Sequence, residues 1–264
     1  MHFPIQFQWH DQTIARAIQE LPPSEERQAM ILVGSVARGD ARCDSDVDIL
    51  LLMNSPVPES GLSGTDFPTD SWCISPCSGL SLEYIDQKFL DDALGFGSEP
   101  TRYLFKDALL LYENDLSLAY TLKQIATYPR HLQNERILEF ASQLPAHFSF
   151  LELAEYSDNR YLLSETAYKL VHFAGRLVLA INAELYPGRK WFWRSIRLAS
   201  NKPQRFCDLA HALLEQPSIA KGEEFLQCLY KHYNLTLPPE NWQEHYTLSS
   251  IRKWRKYPPD ITEC

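Results

Sequence analysis

No apolar run in this chain reaches the ~18 residues that a membrane-spanning helix needs. The longest stretch of that character, around Leu170–Ile181, is broken by His172 and Arg176. The first residues, Met1-His2-Phe3-Pro4-Ile5-Gln6, have neither the basic start nor the apolar centre of an export signal. Cysteine lacks pattern rather than number. Cys43, Cys73, Cys77, Cys207, Cys228 and Cys264 are scattered, and Cys73-x-x-x-Cys77 has no second pair with which to build a zinc site. Without an export signal such thiols are expected to stay reduced, so a cytoplasmic protein is expected. Positive charge is also short, with 25 Lys and Arg against 34 Asp and Glu, a net charge of −9 at pH 7. Long nucleic acids are held through basic patches, and this balance argues against a polynucleotide substrate. It would instead draw a cationic small molecule through the summed field. The local exception is Lys190 to Lys202, where basic residues surround Trp191, Phe192 and Trp193. There is no internal repeat and no low-complexity segment.

A 45% hydrophobic and 22% charged composition over 264 residues is that of a globular chain with one large domain or two ordinary ones. Met30-Ile31-Leu32-Val33 and Ile49-Leu50-Leu51-Leu52 read as neighbouring buried strands. Between them lie Gly34-Ser35-Val36-Ala37-Arg38-Gly39 and Asp44-Ser45-Asp46-Val47-Asp48. A Gly-Ser turn leaving a buried strand offers backbone N–H groups and a hydroxyl, which suit a phosphate. Strand residues two apart share a face, so Asp46 and Asp48 would set two carboxylates side by side. Such a pair repels by roughly 4 kcal/mol at an effective dielectric of 20. Mg²⁺ removes that cost and favours one or two carboxylates completed by water and phosphate oxygens. Alone, a Gly-Ser turn or an Asp-x-Asp strand end is commonplace; together, on consecutive strands, they single out this segment.

At these residues the chain resembles the nucleotidyltransferase superfamily of the DNA polymerase β type. It is most similar to small bacterial members such as the aminoglycoside, lincosamide and minimal nucleotidyltransferases. The resemblance is close over 30–53 and looser to about 112. It implies an α/β (α+β) catalytic domain with a mixed sheet. It also implies transfer of a nucleoside monophosphate from ATP or another nucleoside triphosphate to an acceptor, releasing pyrophosphate. Asp46 and Asp48 would hold two Mg²⁺ ions, a third carboxylate on a later strand would complete the set, Gly34 and Ser35 would seat the phosphates, and Arg38 would lie near the γ-phosphate. Leu80-Ser81-Leu82-Glu83-Tyr84-Ile85-Asp86 alternates well enough for that later strand. Glu83 is the expected third ligand in preference to Asp86, which stands at the strand's end.

The remaining elements follow from pattern. Gln12 to Ala29 reads as one or two helices interrupted by Pro22-Pro23, with Ser24-Glu25-Glu26 capping a short second one. Residues 54–70 form a Ser-, Pro- and Gly-rich loop. Helical runs at Lys88–Leu94 and Thr101–Lys106 precede a strand at 108–113. After Leu116 strand signals fade and amphipathic helices take over. The expected division is therefore a catalytic domain over 1–115 and an all-α helical bundle over 116–264, with the active site in the cleft between them.

Tyr161 to about Glu184 is the key helix of this half, ended by Pro187-Gly188. Leu163, Ala167, Leu170, Val171, Ala174, Leu177, Val178 and Ile181 cover one side, and Glu165, Lys169, His172 and Arg176 the other. That stripe is either a solvated face carrying an ordinary i,i+4 ion pair or a wall of the cleft. In some aminoglycoside nucleotidyltransferases a helix of the second domain supplies a Glu as general base and a Lys one turn later for the phosphates. Glu165 and Lys169 have that spacing. Trp191, Phe192 and Trp193 either stack a nucleobase or fill the core, and Lys190 beside them is a further candidate for phosphate. The leading acceptor is a hydroxyl of an aminoglycoside-like small molecule. The alternatives are a protein or tRNA acceptor, as in toxin–antitoxin pairs, and a nucleotide-binding module without catalysis. Two-domain members often pair, which makes a homodimer a further expectation.

Overall fold

A strand that is apolar at every position must be covered on both faces. The computed structural model describes residues 7–57, 79–234 and 240–252, and in it the two apolar runs are the central strands of a four-stranded mixed sheet. β1 (Arg27–Val33), β2 (Val47–Met53), β3 (Leu80–Asp86) and β4 (Leu109–Glu113) stand in the order β3-β2-β1-β4. β1 is antiparallel to β2 and β4, and β2 runs parallel to β3. On one face Met30, Leu32, Ile49 and Leu51 lie under Ile14 and Ala17 of α1 (Gln8–Glu20) and Val36 and Ala37 of α2 (Gly34–Ala37). On the other, Ile31, Val33, Leu50 and Leu52 meet α3 (Gln87–Phe96) and, beyond α4 (Glu99–Leu104), α5 (Leu118–Ile125). Leu90, Leu118, Leu122 and Ile125 make that contact. Each fully buried Leu or Ile contributes about 1.5–3 kcal/mol.

The short helix expected after Pro22-Pro23 does not form. The Ser24 hydroxyl accepts the Arg27 N–H at 3.1 Å, and Arg27 already belongs to β1. A side-chain turn has replaced a helical one. Of the loop expected at 54–70, residues 58–70 lie outside the described residues, as do Cys73 and Cys77.

The chain divides into two compact units, Met1–Tyr128 and Pro129–Cys264, and α5 packs with the first. Within the first unit the buried Arg102 donates to the carbonyls of Leu94, Gly97 and Ile125 at 2.6, 3.1 and 3.3 Å. One guanidinium thereby satisfies the ends of α3 and α5, where backbone carbonyls lack helical donors.

The second unit, among its described residues, is mostly helical and has no strand. It contains α6 (Gln133–Tyr156), α7 (Arg160–Ile181), α8 (Phe192–Leu198), α9 (Phe206–Glu215), α10 (Ile219–Tyr233) and α11 (Trp242–Tyr246). Leu144, Leu170, Leu177, Phe206 and Phe225 lie in its core. α7 ends earlier than Pro187-Gly188 would require. Asn182 donates to the Val178 carbonyl at 2.7 Å, and Ala183 takes a left-handed φ of 52°, so a local C-terminal cap stops the helix.

Candidate active site

β1 delivers the chain to Gly34 with φ +73°, a conformation that side chains other than glycine's resist. A second constraint is independent of the first. A Cβ at this position would overlap Asp48 Oδ2 and lie 3.1 Å from Asp48 Cγ. The backbone at the mouth of the Gly-Ser turn therefore lies directly on the Asp48 carboxylate. α2 follows as a single turn, closed by Arg38 N–H to Gly34 O at 3.2 Å and Asp40 N–H to Ser35 O at 3.0 Å. Ser35 is buried within it. The leading N–H groups of such a turn have no helical acceptor.

In β2, Asp48 pairs with Val33 of β1 and Ser81 of β3. It shares a sheet face with Leu50 and Leu52, since residues two apart point alike. Asp46 stands one residue ahead of the strand. Its Oδ1 accepts the Gly79 N–H at 2.8 Å, and the Gly79 carbonyl accepts the Val47 N–H at 2.9 Å. The backbone of Gly79 thus fixes both the Asp46 carboxylate and the entry to β2. The preceding turn is fixed as well. The Ser45 hydroxyl accepts the Arg42 N–H at 2.8 Å, while Arg42 grips Asp44 through bonds of 2.9 and 2.7 Å.

His10 of α1, fully buried, meets the Ser45 carbonyl through Nε2 at 3.1 Å. A carbonyl only accepts, so Nε2 carries the proton. Nδ1 has no hydrogen-bond partner among the described residues. Burial holds the His10 pKa below its usual value, against the opposing effect of the Ser45 bond.

β3 separates the two acids between which the sequence left a choice. Ser81, Glu83 and Ile85 share the face of Asp48 and Leu50, and Glu83 lies opposite Leu50 in the register. Asp86 lies on the other face, and both its oxygens are engaged by backbone. Oδ1 accepts the Phe89 N–H at 2.8 Å as the cap of α3, and Oδ2 accepts the Val57 N–H at 2.9 Å. These bonds hold the Asp86 pKa below the usual carboxylate range. Glu83 is exposed. Among the described residues no three His, Cys, Asp or Glu side chains converge as a metal cluster.

Arg38 is held inside the first unit, with its side chain 7% exposed. It stands 3.5 Å from Asp40 Oδ2 and 5.0 Å from the centre of the Tyr103 ring.

In the second unit, Glu165 and Lys169 form a partly exposed ion pair at 2.8 Å. The polar stripe expected on α7 does not continue beyond it. Arg176 is enclosed between the rings of Phe140 and Tyr186, at 4.5 and 4.4 Å. His172 lies among Tyr168, Phe173, Tyr186 and Phe192. The segment after α7, which carries Tyr186, has folded back over that face. Lys190 is exposed, 5.5 Å from the Trp191 ring. Phe192 is core, and Trp193 lines a cavity.

The sequence singles out the Gly-Ser turn and the carboxylates of Asp46, Asp48 and Glu83, but nothing in its pattern marks His10 or Gly79. A lone histidine on an amphipathic helix and a glycine ahead of a strand have no spacing relation to Asp46. Their roles appear only once α1 and β3 are laid beside the turn.

A family model described as "nucleotidyltransferase domain" matches residues 12–155. A crystal structure of a nucleotidyltransferase-like protein from Exiguobacterium sibiricum 255-15 is similar over 96% of this chain and 83% of its own. It is 14% identical, with a TM-score of 0.45. Among curated proteins none matches. Among the described residues no helix is long and apolar enough to cross a membrane.

Proposed function

The chain belongs to the nucleotidyltransferase domain family, and on that premise we propose that it moves a nucleoside monophosphate, AMP in the default case, from a nucleoside triphosphate to a hydroxyl of a small-molecule acceptor. The acceptor oxygen bonds to the α-phosphorus as the bond to the β,γ-diphosphate breaks, and pyrophosphate leaves. The observation that carries this reading is the contact between Gly34 and Asp48. The Gly-Ser turn and the Asp48 carboxylate meet with no side chain between them, which supports reading the turn as the phosphate seat.

The donor set fits Mg²⁺. Asp46 and Asp48 would supply hard oxygen ligands from alternate positions of the chain, and the missing Cβ of Gly34 leaves room for the Asp48 carboxylate beside the turn. Glu83, on the same face of β3, would serve as the third carboxylate. When bound, the metal would supply charge to the phosphate oxygens and to the attacking oxygen.

The chain's own residues have separate tasks. Gly34 and Ser35 would receive the β- and γ-phosphates on the open amides of α2. Arg38, steadied by Asp40 and Tyr103, would add positive charge beside that turn. Gly79 and His10 hold Asp46 and its turn in register. Glu165 would take the acceptor's proton, while Lys169 and Lys190 would offset phosphate charge. A cationic, aminoglycoside-like acceptor is favoured by the net charge of −9.

The test is label transfer from each α-³²P nucleoside triphosphate with Mg²⁺ into small-molecule, protein and RNA fractions, with an aminoglycoside panel. Label in a small molecule is the expected result. Label in protein or RNA would replace the acceptor class, and nucleotide binding without transfer to any fraction would remove the enzymatic reading.

A further inference from the structure

The second unit contains a cavity of about 210 Å³ that the transfer reaction does not use. Tyr168, His172, Tyr186, Phe192, Trp193 and Arg189 are among its walls, and no carboxylate lines it. Its shape is built rather than left over. Phe192 packs onto the bare backbone of Gly175, where a Cβ would meet the ring at 2.5 Å from Cε2. A glycine inside a helix costs about 1 kcal/mol relative to alanine, and here it makes room for the ring. The other rings stand in attractive geometries. Tyr168 stacks on His172 at 5.7 Å and 15°, and Tyr186 meets His172 edge-on at 5.5 Å and 83°.

The usual guest of an aromatic enclosure is a cation, but the wall of this one already carries an arginine. Arg176 lies 4.4 Å from the Tyr186 ring, and Arg189 stands in the wall. His172 is surrounded by the rings of Tyr168, Phe173, Tyr186 and Phe192. Burial and the two arginines hold its pKa down to about 4. At neutral pH it is an uncharged imidazole with one donor and one acceptor. The volume lies below the ~300–1,000 Å³ of drug-sized sites, which limits the guest to one ring system with a short substituent.

We propose that this cavity binds a planar aromatic acid, its ring between the aromatic walls and its carboxylate on Arg189, with His172 as a hydrogen-bonding partner. None of the residues lining this cavity is assigned a task in the transfer reaction, and the binding does not rest on that reaction. A charge-assisted bond to an arginine adds the discrimination that stacking alone does not provide.

The experiment is calorimetric titration of the full chain with benzoate, benzamide and benzylamine, which share one ring and differ in charge. Benzoate is expected to saturate at about millimolar Kd or tighter, benzamide to bind at least about fivefold more weakly, and benzylamine weakest of the three. Arg189→Gln, at an exposed position, should weaken benzoate by about tenfold and leave benzamide unchanged. Gly175→Ala, which drives Phe192 into the space, should weaken both ring ligands together. The proposal is overturned if benzylamine binds best, if Arg189→Gln leaves benzoate unaffected, or if none of the three saturates by about 10 mM.

Discussion

At the scale of single residues, Gly34 shapes the proposed site more than any acid does. Its left-handed φ and its contact with Asp48 are separate demands met by the same missing side chain. Gly34→Ala is therefore expected to displace the Asp48 carboxylate although no ligand is removed. The strained φ alone should cost about 1 kcal/mol or more of stability. Transfer should fall well beyond what that loss explains, as read by pairing a denaturation curve with a transfer rate. An alanine variant with full activity would show that the turn tolerates a side chain there, and the close contact would lose its meaning. The turn and the alternating aspartates were legible in sequence because they are consecutive in the chain. His10 and Gly79 were not, because each acts on Asp46 or its turn from a distant part of the sequence.

At the scale of elements, β3 divides two acids between its two faces. Glu83 lies on the Asp48 face, whereas Asp86 caps α3 and holds Val57. Glu83→Gln should reduce transfer with the melting temperature retained. Asp86→Ala should remove an N-cap worth about 1 kcal/mol and leave the transfer rate of the folded protein close to normal. The reverse pattern, with activity lost in the Asp86 variant alone, would exchange the two roles. β1 and β2 could be read in advance because covered strands are apolar at every position. α7 could be read only in part. Its 3.6-residue period marks the face that meets the core, but the burial of His172 and Arg176 depends on Tyr186 and Phe140. Neither of those belongs to the helix's own pattern. The break after Pro22-Pro23 went the other way, since a serine that can cap a helix can equally close a turn.

At the scale of the whole molecule, the second unit should lose stability as pH falls. His147 is buried in the second unit, stacked on Phe173 at 5.3 Å and 4°. Burial, with Lys169 and His172 nearby, holds its pKa down to about 3, and that of His172 is about 4. An unfolded chain takes these protons near pH 6.5, whereas the folded unit refuses them. The stabilisation is therefore complete above about pH 6.5 and is lost progressively as pH falls toward the folded values. By pH 5 the loss is on the order of 2 kcal/mol for His147, with less from the half-buried His172. Thermal melts between pH 5 and 7.5 should show the second unit weakening on the acid side, and His147→Phe should flatten that slope. An unchanged slope in the variant would contradict this assignment. The whole chain's activity is tested most directly through Asp48→Asn, which keeps the size of the side chain and removes its charge. The measurement is pyrophosphate release from Mg²⁺–nucleoside triphosphate in the presence of acceptor, in wild type and variant, with melting curves recorded in parallel. A loss of at least about a hundredfold with the melt unchanged is the expected result. Release at the wild-type rate from the Asp48→Asn protein would contradict the assignment of the Gly34–Asp48 site as the centre of transfer.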